Sequence, residues 1–174
     1  MTNLVYALGS YGPVILIILS WFLLWDSPNM CFYYTVGLFV NSLLNLILKG
    51  ILQEPRPMFD AKKVHLMKTN TESHFYRNGI PFDVFGMPSG HVQASMFSTV
   101  FVYLTLRETK WMYYAYLPMT LLTAYQRVKF NFHTASQVLV GSAVGSAFAY
   151  YVYKLAKDKI KNCIREKPDD DGPV

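Results

Sequence analysis

GMPSGHVQASMFSTVFVYLTL, residues 86–106, is the stretch on which the fold turns. An apolar run of helix length follows directly on Gly86, Pro88, Ser89, Gly90 and His91. Segments that enter a bilayer rarely open with so much irregular backbone and a titratable ring. The run therefore reads as a membrane helix whose first residues have a second task. The rest of the chain suits lipid as well. Of its 174 residues, 52% are hydrophobic and 16% charged, against roughly 25% charged in soluble domains. The length predicts one domain. The net charge of +5 by itself admits nucleic acid, anionic lipid or an anionic substrate. With this composition no nucleic-acid partner is expected. Two cysteines, Cys31 and Cys163, make no disulfide framework and read as free thiols.

Outward from residues 86–106, hydropathy marks five segments: about Val5–Trp25, Cys31–Leu52, Val92–Leu106, Trp111–Arg127 and Thr134–Leu155. Each reaches or approaches the ~20 residues that cross a ~30 Å hydrocarbon core, and backbone in lipid must satisfy itself within the segment. The expected fold is all-α, an integral membrane bundle of about five transmembrane helices with one long functional loop. Residues 1–155 are expected to form the membrane-embedded domain and 156–174 a solvated charged tail. The first segment lacks the basic start and small-residue cleavage site of a signal peptide. DSPNM (26–30) and RETK (107–110) read as tight turns, and 53–90 as one long polar loop carrying Asp60, Lys62, Lys63 and two histidines. Gly141 and Gly145 form a G-x-x-x-G pair, which suits close helix packing inside the bundle or, alternatively, a homodimer face.

Polar residues interrupt the segment ends. Lys49 is near the end of the second, Arg56 follows it beside Pro55 and Pro57, His91 opens the third, Arg127 closes the fourth and His133 opens the fifth. With five crossings, all five groups fall on one side of the membrane. One such residue is usually a snorkelling or interfacial side chain. Three cations and two histidines converging on one side point to function. Lys49, Arg56 and Arg127 suit the oxygens of a phosphoryl group. Pro88-Ser89-Gly90 precedes a helix, an anion-binding arrangement of backbone N–H groups, and Gly90 allows close approach. One histidine is then available to attack phosphorus and the other to protonate the leaving oxygen. No cluster has metal-ligand spacing, so neither metal nor cofactor is expected.

K-x6-R-P (Lys49 to Pro57), P-S-G-H (Pro88 to His91) and R-x5-H (Arg127 to His133) occur in this order. Together they resemble the three signatures of the type-2 phosphatidic acid phosphatase superfamily over roughly residues 30–155. The resemblance implies a metal-independent lipid phosphatase or diphosphatase. It makes His133 the nucleophile forming a phosphohistidine and His91 the general acid. Lys49, Arg56, Ser89, Gly90 and Arg127 become the phosphate ligands. Its substrate would be a lipid phosphate or isoprenoid diphosphate in the membrane. ILQEPRP and HTASQVLVG (residues 51–57 and 133–141) are similar to phrases of the dolichyl-diphosphatase branch, which acts on a polyprenyl diphosphate at the luminal face of the endoplasmic reticulum.

The chain departs from the family pattern twice. Gln126 precedes Arg127 where a serine is usual, and Gln137 stands in H-x3-Q where an aspartate is usual. That aspartate would orient the nucleophilic imidazole. Gln137 lies about one helical turn after His133 and can accept a hydrogen bond from its ring without carrying charge. If it only packs, Asp83 and Glu54 are the next partners to consider. The departures motivate an alternative, a catalytically impaired phosphatase-like protein that binds lipid phosphate. A vanadate peroxidase, a soluble relative, is disfavoured by the apolar segments. Lysines after the fifth segment favour a cytosolic tail and hence a luminal or external site, in the endoplasmic reticulum or another endomembrane.

Overall fold

Proline sets the first corner of the chain. The first helix, α1 (Thr2–Leu23), ends in a turn, and Pro28 opens α2 (Pro28–Leu52), where its missing N–H costs nothing. The helix thus begins inside the DSPNM stretch rather than after it. At the far end of α2, Gln53 adopts a left-handed conformation (φ 48°) and its N–H bonds Lys49 O at 3.0 Å, which stops the helix and turns the chain. Three further helices follow: α3 (Gly90–Thr105), α4 (Trp111–Lys129) and α5 (Ala135–Glu166). The computed structural model describes residues 2–58, 85–106 and 111–166. Most of the expected long loop, including Asp60, Lys62, Lys63 and Asp83, lies outside the described residues, as do the RETK turn and residues 167–174.

The described residues form five helices and no strand, and the all-helical expectation holds. Three spans are long and apolar enough to cross a membrane: Leu4–Leu23, Pro28–Leu52 and Ala135–Lys161. Apolar side chains such as Phe22, Phe39, Ile47 and Leu139 point outward, an exposed apolar surface of the kind lipid covers. The two other helices have different surroundings. With 16 residues, α3 is only ~24 Å long at ~1.5 Å per residue. It packs against all four other helices and buries Gln93, Ser95, Ser98 and Thr99. Three of them find partners across the bundle: Thr99 Oγ1 lies 2.8 Å from Thr120 Oγ1, Tyr34 OH lies 2.8 Å from Ser98 Oγ, and the Gln93 amide bonds to α2. Screened from lipid by its neighbours, α3 does not need an apolar circumference.

Small residues let α5 approach α3 closely. A Cβ on Gly145 would collide with the carbonyl of Gln93, and one on Gly141 would lie 2.7 Å from the carbonyl of Ser89. The G-x-x-x-G pair therefore packs within the chain. α1 runs antiparallel to α4, with Gly9 against Gln126, Gly12 against Thr123 and Ser20 Oγ 3.0 Å from Tyr116 OH. An aromatic core of Tyr34, Phe97 and Phe101 with Leu24, Ala149 and Val152 fills the half of the bundle away from His91 and His133. α5 continues as helix beyond Leu155, where the apolar segment ends, through Glu166.

Candidate active site

A cleft of about 410 Å3 opens where α2 ends and α3 begins. Asn41, Ser42, Asn45 and Lys49 of α2 line one wall, and Arg56 follows from the segment after it. Gly90, His91 and Ala94 of α3 line another, and His133 completes it. Asn41, Asn45 and Lys49 are four residues apart, so they form one stripe along α2. Asn45 Nδ2 donates to Pro88 O (3.1 Å) and Gln93 Oε1 (2.8 Å), and Gln93 Nε2 donates to Asn41 Oδ1 (2.9 Å). These amides pin α2 to the start of α3 and so fix Lys49 relative to His91. Sequence reasoning missed them, although N-x3-N-x3-K in an apolar helix was the available signal.

The R-x5-H spacing has a local cause. After α4 the backbone folds back on itself: the N–H groups of Phe132 and His133 both bond Arg127 O, at 3.0 and 3.1 Å. Asn131 takes the left-handed conformation this turn requires (φ 55°), one that asparagine tolerates better than most residues. The Phe132 ring lies 5.0 Å from the Arg127 guanidinium. The loop thereby holds His133, 2% exposed, inside the cleft wall, whereas His91 is exposed at its rim.

Gln137 is fully buried and uses its whole amide. Oε1 lies 3.1 Å from His133 Nδ1 and accepts the Thr134 N–H at 3.3 Å. Nε2 donates to Glu54 Oε1 at 2.8 Å and to Pro55 O at 3.0 Å. A carboxylate and a carbonyl can only accept, so the amide is oriented without ambiguity and Nδ1 must be the protonated ring nitrogen. The lone pair is left on Nε2. Gln137 also has a second role. Its N–H bonds Thr134 Oγ1 at 3.2 Å while its side chain bonds the Thr134 N–H, a reciprocal capping box at the start of α5. The T-x-x-Q pattern, Thr134 to Gln137, is the signal for it in the sequence.

Lys49, Arg56, Gly90, His91 and His133 thus share one cleft, while Ser89, Arg127 and Gln137 stand behind its wall. The Ser89 N–H, expected to face an anion, is already bonded to Gln137 O at 3.0 Å. The first-turn amides of Gly90 and His91 have no intrahelical carbonyl to bond. Among the described residues, Ser89 Oγ and Arg127 Nε are buried without a hydrogen-bond partner, as is Ser95 Oγ deeper in α3. Burial, with the positive charge of Arg56, holds the His133 imidazole down at about 4. Lys49 and Arg127 act in the same direction, and the Gln137 hydrogen bond opposes them. Among the described residues, no group of three or more His, Cys, Asp or Glu is placed to hold a metal ion. The arrangement offers clustered cations, an imidazole of defined tautomer and a second, accessible imidazole.

Comparison with known proteins bears on the same residues. The chain is 29% identical to human dolichyldiphosphatase 1 over 67% of its own length and 50% of that protein. It is 28% identical to the dolichyldiphosphatase of Saccharomyces cerevisiae over 74% of its length and 52% of the relative. It is also 29% identical to the chloroplastic lipid phosphate phosphatase epsilon 1 of Arabidopsis thaliana, over 69% and 38%. The chain spans about half the length of the curated dolichyldiphosphatases it matches. In fold it is similar to the crystal structure of the first transmembrane PAP2-type phosphatidylglycerolphosphate phosphatase from Bacillus subtilis. The TM-score is 0.60 at 19% identity, over 95% of this chain and 79% of that one. Residues 30–161, which hold all three motifs and every side chain of the cleft, match the profile of the PAP2 superfamily, and the chain belongs to that superfamily.

Proposed function

We propose that this protein is a membrane phosphatase that hydrolyses a lipid phosphate, and most specifically a polyprenyl diphosphate of the dolichyl type, through a phosphohistidine and without a metal. One observation carries this reading: Gln137 Oε1 lies 3.1 Å from His133 Nδ1, which leaves Nε2 as the nucleophile in a cleft shared with Lys49, Arg56 and His91. The cations offset charge on the phosphoryl oxygens. Nε2 forms a bond to phosphorus as the bond to the leaving oxygen breaks, and His91 gives that oxygen its proton. Positive charge then grows on the imidazole, and Gln137 meets it at Nδ1–H. Water next attacks phosphorus and gives a proton to His91, and the N–P bond breaks to release phosphate. Residues 1–155 carry this chemistry. The charged residues from Lys157 to Glu166, the last turns of α5, lie on the opposite side, with the site facing the lumen of the endoplasmic reticulum.

The test is phosphate release by purified protein in EDTA from a polyprenyl diphosphate and from phosphatidate. Release is expected to persist in EDTA and to be inhibited competitively by vanadate, whose five-coordinate adduct resembles the transition state. Release at background by folded protein that still binds the lipid would instead identify a phosphatase-like binding protein. Loss in EDTA restored by a divalent ion would refute metal independence.

The His133 titration gives a second expectation. A folded-state value of about 4, below the ordinary ~6.5, keeps the ring neutral and nucleophilic throughout the neutral range, and protonation sets in only as pH falls towards 4. NMR of ring-labelled histidine, assigned with a His133→Ala control, should place the midpoint near 4 in the free protein. A midpoint at the ordinary imidazole value would contradict the burial and charge set out above.

A further inference from the structure

We propose that Glu54 is a positioning residue for His133, acting through the Gln137 amide as a three-part relay of carboxylate, amide and imidazole. The proposal rests on the phosphohistidine reading above and deepens it. Glu54 Oε1 accepts from Gln137 Nε2 at 2.8 Å, and Gln137 Oε1 in turn accepts from His133 Nδ1–H at 3.1 Å. The negative charge absent from position 137 is thereby supplied one residue further back.

Three features mark Glu54 as more than an incidental acceptor. First, it is held in place: Glu54 O accepts the Gly86 N–H at 2.7 Å, and Pro55 pairs with Phe85 in an isolated bridge. Second, space is kept for the relay, because a Cβ on Gly86 would collide with the Gln137 amide. Third, a carboxylate that accepts from one end of an amide polarises it, so the oxygen at the other end becomes a stronger acceptor. That gain is largest when the imidazole turns cationic, with Lys49, Arg56, Arg127 and His91 facing it. Glu54 takes no part in the capping box of α5, so its replacement leaves the helix start intact. Changes at Gln137 disturb both roles.

The test is an exchange of the two groups in the full-length protein, read by rapid-quench trapping of phosphoenzyme from 32P-labelled farnesyl diphosphate. Glu54→Gln should slow phosphoenzyme formation about tenfold, the worth of one charge-assisted hydrogen bond. KM should stay within about twofold, because the contact acts only as charge develops. Gln137→Asp alone should also slow it, since two carboxylates then face each other. The double variant Glu54→Gln with Gln137→Asp restores an alternation of donor and acceptor, and should return to within about threefold of the parent. A purely structural role predicts two losses that add, not rescue. Phosphoenzyme formation at the parental rate in Glu54→Gln would overturn the relay, as would a double variant no faster than either single. A parent that forms no phosphoenzyme at all would instead overturn the phosphohistidine reading on which the relay depends.

Discussion

His133→Ala is expected to lower turnover by at least about ten-thousandfold, the scale on which enzymes lose a covalent nucleophile. Among the described residues the geometry gives no substitute. His91 sits at the exposed start of α3, and Gln137 is committed at all four of its hydrogen-bonding positions. His91→Ala should cost about a hundred- to ten-thousandfold, the usual range for a lost general acid, and more as the leaving group becomes a poorer one. Single-turnover mixing with labelled substrate separates the two. An acid-labile phosphoenzyme should accumulate in the parent and form slowly in His91→Ala. None should form in His133→Ala, and a labelled His133→Ala protein would move the nucleophile elsewhere.

Gly145→Leu is expected to cause a large loss of stability. The added side chain would meet the backbone carbonyl of Gln93 rather than a flexible side chain. Relief requires α3 to move as a body, and α3 is tied to α2 through Gln93, Asn41 and Asn45. Overpacking of this kind costs about 1–3 kcal/mol where neighbours can yield, and here the neighbour is main chain, so the upper end applies. Gly50→Ala in α2 is the matched comparison. Among the described residues its Cβ would meet nothing within 4 Å, and the change should stabilise by up to about 1 kcal/mol through helix propensity. Thermal unfolding in detergent measures both. Equal melting temperatures for Gly145→Leu and the parent would mean that α5 does not approach α3 as described.

The helices and motifs were legible because they are written locally. Apolar runs mark spans, and Lys49, Arg56, His91, Arg127 and His133 sit at span ends, so alternation of direction brings them together. The central place of α3 was not legible. Nothing in its own residues states that four helices surround it, and its serines and threonines have meaning only beside Tyr34 and Thr120. The Ser89 N–H shows the same limit from the other side. A helix start suggests free donors, but only the fold reveals that Gln137 O has claimed this one. Gln137 was placed next to the imidazole by its spacing of four residues. Its cap and its bond to Glu54 depend on a hydroxyl at Thr134 and on a turn more than eighty positions away.

Gly86 has a consequence for how this protein can be altered. It donates its N–H to Glu54 and leaves room for the Gln137 amide, so the turn after α2, the approach to α3 and the cap of α5 are cut to fit one another. A segment borrowed from a relative with an aspartate at position 137 would arrive with a shorter side chain and a charge, into a space shaped for an amide. The three short stretches are therefore exchangeable only as a set, and a chimera that swaps one alone inherits a mismatch beside His133.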